Sequence, residues 1–185
     1  MKQLLLVIIA AAGALAQQTT SPDHASMDPK TCPMHAAHVK AQSADDQRFA
    51  EMQERGNRSM GFDQGKTTHH FQSLEDGGTI EVTVNDPADT TDLAAIRSHL
   101  TQVAKQFAAG DFTAPIMTHA ELPPGAAEMQ KLANKIAYTY EELPNGARVR
   151  ITTGDPKALA AVHEFFDYQI KEHRTGDANM TEHQH

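Results

Sequence analysis

Between Asp23 and His38 the chain places one thiol, Cys32, two thioethers, Met27 and Met34, and three imidazoles, His24, His35 and His38. Thiolate, thioether and imidazole donors together favour Cu(I), with zinc and Cu(II) as competitors. A helical turn opening at Pro33 would set His35 and His38 at i, i+3, on one face, where two ring nitrogens can reach one ion. A second set of donors lies further on. His69 and His70 are adjacent on an extended segment, Met117 and His119 stand two residues apart, and His163 and His173 share a helical pattern.

The segment Thr31-Cys32-Pro33-Met34-His35 resembles the Tyr-Thr-Cys-Pro-Met-His-Pro segment of the heavy-metal-binding domains found in copper and silver efflux proteins. That resemblance spans about five residues. It implies Cys32, Met34 and His35 as soft-metal ligands and says nothing of the rest of the chain. His38, His24 and Met27 complete the ligand set expected of the arm.

The elements that must position these groups repeat. Residues 66–74 align with 135–143. Asp76-Gly77 and Asn145-Gly146 supply matching hairpin turns, and Ile80/Val82/Val84 alternate as Val149/Ile151/Thr153 do. Both halves then reach Asp-Pro, at Asp86-Pro87 and Asp155-Pro156, a helix-opening signature. Leu93, Ile96, Leu100, Ala104 and Phe107 correspond to Leu159, Val162, Phe166, Ile170 and His173. Gly110-Asp111 and Gly176-Asp177 close the two helices. The expected fold class is α+β. It comprises a duplicated β-hairpin–α-helix unit (repeats 66–111 and 135–177) and a four-stranded antiparallel sheet with helices packed on one face. A connector over 112–134 contains Pro115, Pro123-Pro124 and a helix from Gly125 to Asn134.

On this frame His69 shares a strand face with Thr67 and Phe71, matching Ile136, Tyr138 and Tyr140, so it points toward the helices. His70 takes the other face. His163 and His173 flank the buried stripe of the last helix, and His99 falls on the exposed side of the first. His69, His163 and His173 either converge on a metal or haem iron or are core histidines satisfied by carbonyls and carboxylates. Met117 and His119 share a face if their stretch is extended. Cys-x-x-Cys-His is absent, which argues against covalent haem and leaves non-covalent haem open.

Composition narrows the classes. The 185 residues carry 16 Lys+Arg against 24 Asp+Glu, a net charge of −8, with 11 His and a single Cys. An acidic chain without a basic stripe is no candidate for nucleic acid, and one Cys makes no internal disulfide. Residues 1–16 read as a signal peptide. Lys2 starts it, Leu4 to Ala12 form a short apolar run, and Ala14-Leu15-Ala16 form a cleavage site. The expected location is therefore periplasmic or secreted, with no transmembrane anchor. Residues 17–59 read as a flexible arm with a short helix that begins near Ser43 and stops at Gly56-Asn57. Residues 60–178 form the domain, and 179–185 a His-containing tail. No nucleophile elbow, phosphate loop or dinucleotide fingerprint occurs.

The leading expectation is an exported soft-metal protein, binding copper or zinc for sequestration, delivery or resistance. Its partners would be the ion, a second copy of the chain or a metal-transfer protein. The alternatives are a periplasmic enzyme or haem/metal cofactor protein with a His-lined site in the domain, and a structural or interaction module.

Overall fold

Alternation of period two builds two hairpins in a computed structural model that describes residues 33–178, with side chains from Val39. The signal-peptide segment, His24, Met27, Cys32 and the tail from residue 179 lie outside the described residues, as do the side chains of Met34, His35 and His38. Contacts divide the chain into two compact units, and both hairpins belong to the one that begins at Gln42.

The strands are β1 (Thr67–Leu74), β2 (Gly77–Val84), β3 (Ile136–Leu143) and β4 (Gly146–Thr153), and every pairing is antiparallel in the order β1-β2-β4-β3. The turns fall at the expected Asp-Gly and Asn-Gly positions. Gly77 opens β2 and Gly146 opens β4, and each lies tight against the other strand. A Cβ at Gly77 would overlap the Ile151 carbonyl, and one at Gly146 the Val82 carbonyl. The return strands therefore lie side by side at the sheet centre. Val82, Val149 and Ile151 are sealed beneath the helices. The opposite face is polar, and Arg148 bridges Glu81 and Glu141 across it.

Among the described residues five α-helices accompany the sheet: α1 (Pro33–Met60), α2 (Thr90–Ala108), α3 (Thr113–His119), α4 (Ala126–Lys131) and α5 (Pro156–His173). Asp89 caps α2 through the Asp92 amide. Asp155 caps α5 through the Lys157 and Ala158 amides, with Pro156 in the first turn. The helices cross over: α2 packs on β3 and β4, whereas α5 packs on β1. Each hairpin is thus covered mainly by the helix that comes after the other one. Ile96, Leu100 and Phe107 of α2 join Val162, Phe165 and Phe166 of α5 in one apolar core.

Five elements differ from the sequence expectation. The α2 helix opens at Thr90 with Asp89 as its cap, a turn beyond Asp86-Pro87, and α5 ends at His173 with Arg174 at φ +52°, ahead of Gly176-Asp177. The α1 helix is 28 residues long and passes through Gly56-Asn57 to end at Gly61, whose φ of +82° breaks it. Tertiary packing overrides the local stop, because Met52 and Gly56 are buried against the domain. The connector contains α3, since Pro115 sits early enough in that helix to cost no internal hydrogen bond. The α4 helix covers only Ala126–Lys131 of the expected 125–134.

Candidate functional site

β1 brings His69 to the helix-facing side, α5 ends in His173, and the α3 helix delivers His119 beside them. The His69 and His173 rings stack with centroids 5.3 Å apart. His119 meets His173 edge to face at 5.2 Å. Aromatic neighbours enclose the group: Phe71 lies 5.4 Å from His173, and Phe62 lies 5.8 Å from both His69 and His99. All four histidines line a cavity whose remaining wall is largely apolar, including Leu100, Val103 and Phe165. Unfilled space there totals about 500 Å³ with its mouth, of which about 60 Å³ is wide enough for water. That smaller volume suits an ion or about four waters.

Burial governs the protonation of this cluster. Desolvation lowers His69 to about 4, with smaller repulsion from His99 and His70, and it lowers His99 to about 4. It also pushes His173 far below the ordinary histidine value, aided by repulsion from His69 and His119. His69, His99 and His173 are each half-buried by surface area, and His69 and His173 line an outer cleft beside Gln53 and Gln64 as well as the cavity. His119 is lowered by desolvation, partly offset by its bond to Gln169. At neutral pH these rings are uncharged, and each neutral ring carries one lone pair on nitrogen.

Those lone pairs and N–H groups are poorly used. His119 Nε2 pairs with Gln169 Oε1 at 3.0 Å, yet His119 Nδ1 is buried without a partner. His69 Nε2 is likewise buried and unpartnered. Leaving such a group unmade costs about 1–3 kcal/mol, which a bound ligand would relieve. No group of three His, Cys, Asp or Glu among the described residues has the spacing of a metal cage.

The sequence candidates divide. His69, His119 and His173 come together. His163 does not join them: its Nε2 bonds the Leu74 carbonyl at 2.9 Å, the satisfied-histidine alternative. Met117 does not join either. It is 59% exposed while His119 is 8% exposed, because α3 is helical rather than extended and residues two apart turn away from each other. His99 corrects an expectation of exposure. It lies against Phe62, a residue of the segment between α1 and β1 that helical phase alone does not place. Gln169 is a member of the site that the sequence pattern does not single out. Its position beside the apolar stripe of α5 is the available signal, since a 3% exposed amide needs a partner. His70 lies on the opposite side of the strand and pairs with Asp177 at 2.8 Å.

No protein-family model, curated protein or solved structure matches the chain. The site therefore rests on its own geometry.

α1 helps hold it. Arg55 Nε donates to the Thr118 carbonyl at 2.9 Å, and the Ser59 and Thr118 hydroxyls meet at 2.9 Å. Met60 contributes to the cavity wall. At the far end of α5, Arg174 pairs with Asp45 and Asp46 and sits 4.3 Å over the Phe49 ring. Two attachments thus clamp α1 beside His119 and His173.

Proposed function

We propose that the protein is an exported copper-binding protein whose domain holds Cu(I) among buried imidazoles, with Cys32, Met34, His35 and His38 forming a second capture site in the arm. The observation that carries the domain site is the cluster of His69, His119 and His173, kept neutral by burial and bearing unpartnered ring nitrogens. Imidazole suits copper and zinc alike. A structural zinc site asks for four ligands, so a pocket offering two unpartnered ring nitrogens meets the smaller demand of Cu(I) more readily. The chain's acidic balance raises the local concentration of cations. No helix among the described residues is long and apolar enough to cross a membrane.

Anaerobic titration with Cu(I) against a competing chelator tests this reading. Two equivalents are expected for the wild type. One is expected for His69→Ala/His119→Ala/His173→Ala and one for Cys32→Ala/Met34→Ala/His35→Ala/His38→Ala. An unchanged stoichiometry in the folded domain variant rejects the domain site, and an unchanged one in the arm variant rejects the arm.

A second reading is a non-covalent haem, favoured by the apolar walls beside a buried imidazole nitrogen, although the enclosed space of about 60 Å³ would have to open widely to admit it. His69 Nε2 would be the axial donor. A saturable Soret band on adding hemin, abolished by His69→Ala, would favour it over copper.

A further inference from the structure

We propose that Gln169 is the positioning residue of the metal site: it holds the proton of His119 on Nε2 and so makes Nδ1 the ligating nitrogen. The inference rests on the copper reading above and goes beyond it by assigning the donor atom and the residue that selects it. His119 Nε2 and Gln169 Oε1 are 3.0 Å apart, within a region where Gln169 is 3% and His119 8% exposed. A neutral imidazole has one N–H and one lone pair, and which nitrogen binds a metal is set by the bond the other makes. A carbonyl oxygen accepts only, so with the Gln169 amide in this orientation, its own Nε2 buried without a partner, His119 Nε2 carries the hydrogen. The lone pair is then on Nδ1, the buried atom that has no partner.

The surroundings agree. His119 is fixed in place from three sides. Tyr168 packs edge to face on its ring at 5.1 Å and is itself tied to Glu121 by a 2.7 Å hydrogen bond. His173 packs edge to face at 5.2 Å. Arg55 grips the carbonyl of Thr118, the preceding residue. The ring has little freedom to exchange the places of its two nitrogens. Outer partners that orient a ligating histidine in this way affect metal affinity by about 10–100-fold.

The experiment has two parts, and the first needs no metal. Nitrogen-15 histidine spectra of the full-length apo protein at pH 7.5 should show His119 as the Nε2–H tautomer. In Gln169→Leu this preference should be lost while the fold is kept. The Nδ1–H tautomer in the wild type would overturn the assignment whether or not copper binds. The second part compares Cu(I) affinity and the Cu(II)/Cu(I) midpoint potential. Gln169→Leu should weaken Cu(I) binding about tenfold or more. Gln169→Glu should restore binding and lower the potential, because a carboxylate makes the ring a stronger donor. Equal affinity and potential in all three proteins would overturn the positioning role. Failure of copper to bind the wild-type domain, with the Nε2–H tautomer intact, would reject the copper reading and leave the tautomer assignment standing.

Discussion

Two places in the helix layer are related by the same connectivity yet carry opposite chemistry. Where the strand of the first hairpin meets the helix after the second, His69 stacks on His173 at 5.3 Å. At the corresponding place Tyr138 of β3 meets Phe107 of α2, edge to face, at 5.8 Å. The crossover of the helices gives the two meetings the same form, each joining a residue of one hairpin's outer strand to the last turn of the helix that follows the other hairpin. Phe112 then stacks on Phe107 at 4.3 Å, whereas His119 and Phe71 gather around His173. One side is an aromatic core and the other an imidazole cluster, and one cavity touches both Phe107 and the four histidines. The fold does not require histidine there, since the matching position is filled by Phe107 and by Tyr138, whose hydroxyl is also buried without a partner. Buried imidazoles without partners are retained at a cost, and such costs concentrate at functional sites.

Exchanging the two places should give the largest effect. His69→Tyr/His173→Phe copies the aromatic pair onto the imidazole side. Copper binding by the domain should fall by at least 100-fold, and Tm should rise as two desolvated imidazoles, one with an unpartnered Nε2, give way to aromatic rings. The reverse change, Tyr138→His/Phe107→His, should cost about 3–5 kcal/mol in a urea melt by placing polar rings in a packed apolar region. A stable Tyr138→His/Phe107→His variant would mean the aromatic pair carries no special packing.

Acid separates the two sides next. His69 and His99 fall to about 4 in the fold, against about 6.5 in the unfolded chain. Between those values the unfolded state binds more protons, so unfolding becomes easier as pH drops. The stability that neutral histidines supply is complete above pH 6.5 and is lost progressively down to about 4. Denaturant melts at pH 7.5 and 4.5 should differ by a few kcal/mol. The His69→Tyr/His99→Phe variant should flatten most of that slope, and a slope equal to the wild type's would show that these rings do not titrate with folding.

Legibility in the sequence depends on whether a feature is local. Hairpin turns, strand limits, the Asp155-Pro156 helix start and the inward aim of His69 arise from spacing within a few residues, and all appear where the pattern places them. The α+β class comes from the same pattern. The crossover of α2 and α5 is a long-range property, so the pattern can suggest that His69 meets His173 without locating the meeting. His99 escapes the pattern because Phe62, which covers it, belongs to a segment with no periodicity. His163 has the same helical phase argument as His173, yet it reaches a backbone carbonyl; phase gives the side of a helix and not what waits there.

A smaller difference lies at the sheet edge beside the imidazole side. Asp177 accepts from the Phe71 amide at 3.0 Å and from the His70 ring at 2.8 Å, which occupies an exposed edge of β1. Asp177→Ala should cost about 1 kcal/mol, read as a shift in the urea midpoint at constant slope. His70→Gln should cost less, because the backbone bond survives. Equal losses would assign the contribution to the His70 pair alone.

The smallest effect expected on global stability concerns the clamp of α1, and it tests whether this helix is a separate layer over the cluster. Its described N-terminal half is exposed, with Met52 and Gly56 its only buried positions. Asp45 and Asp46 hold Arg174, and all three side chains face solvent, so screening leaves such pairs with little influence on the cooperative melt. Asp45→Asn/Asp46→Asn should leave Tm almost unchanged. Local opening is a different quantity, set by the few contacts that tie down one segment. Amide exchange over residues 42–52 should therefore quicken severalfold in that variant, while protection in β2 and β4 stays as it was. Raising salt should produce the same pattern in the wild type, because it weakens the same pairs. If exchange in α1 and in the central strands accelerates together, α1 unfolds only with the core, and the imidazole cluster has no independently movable cover.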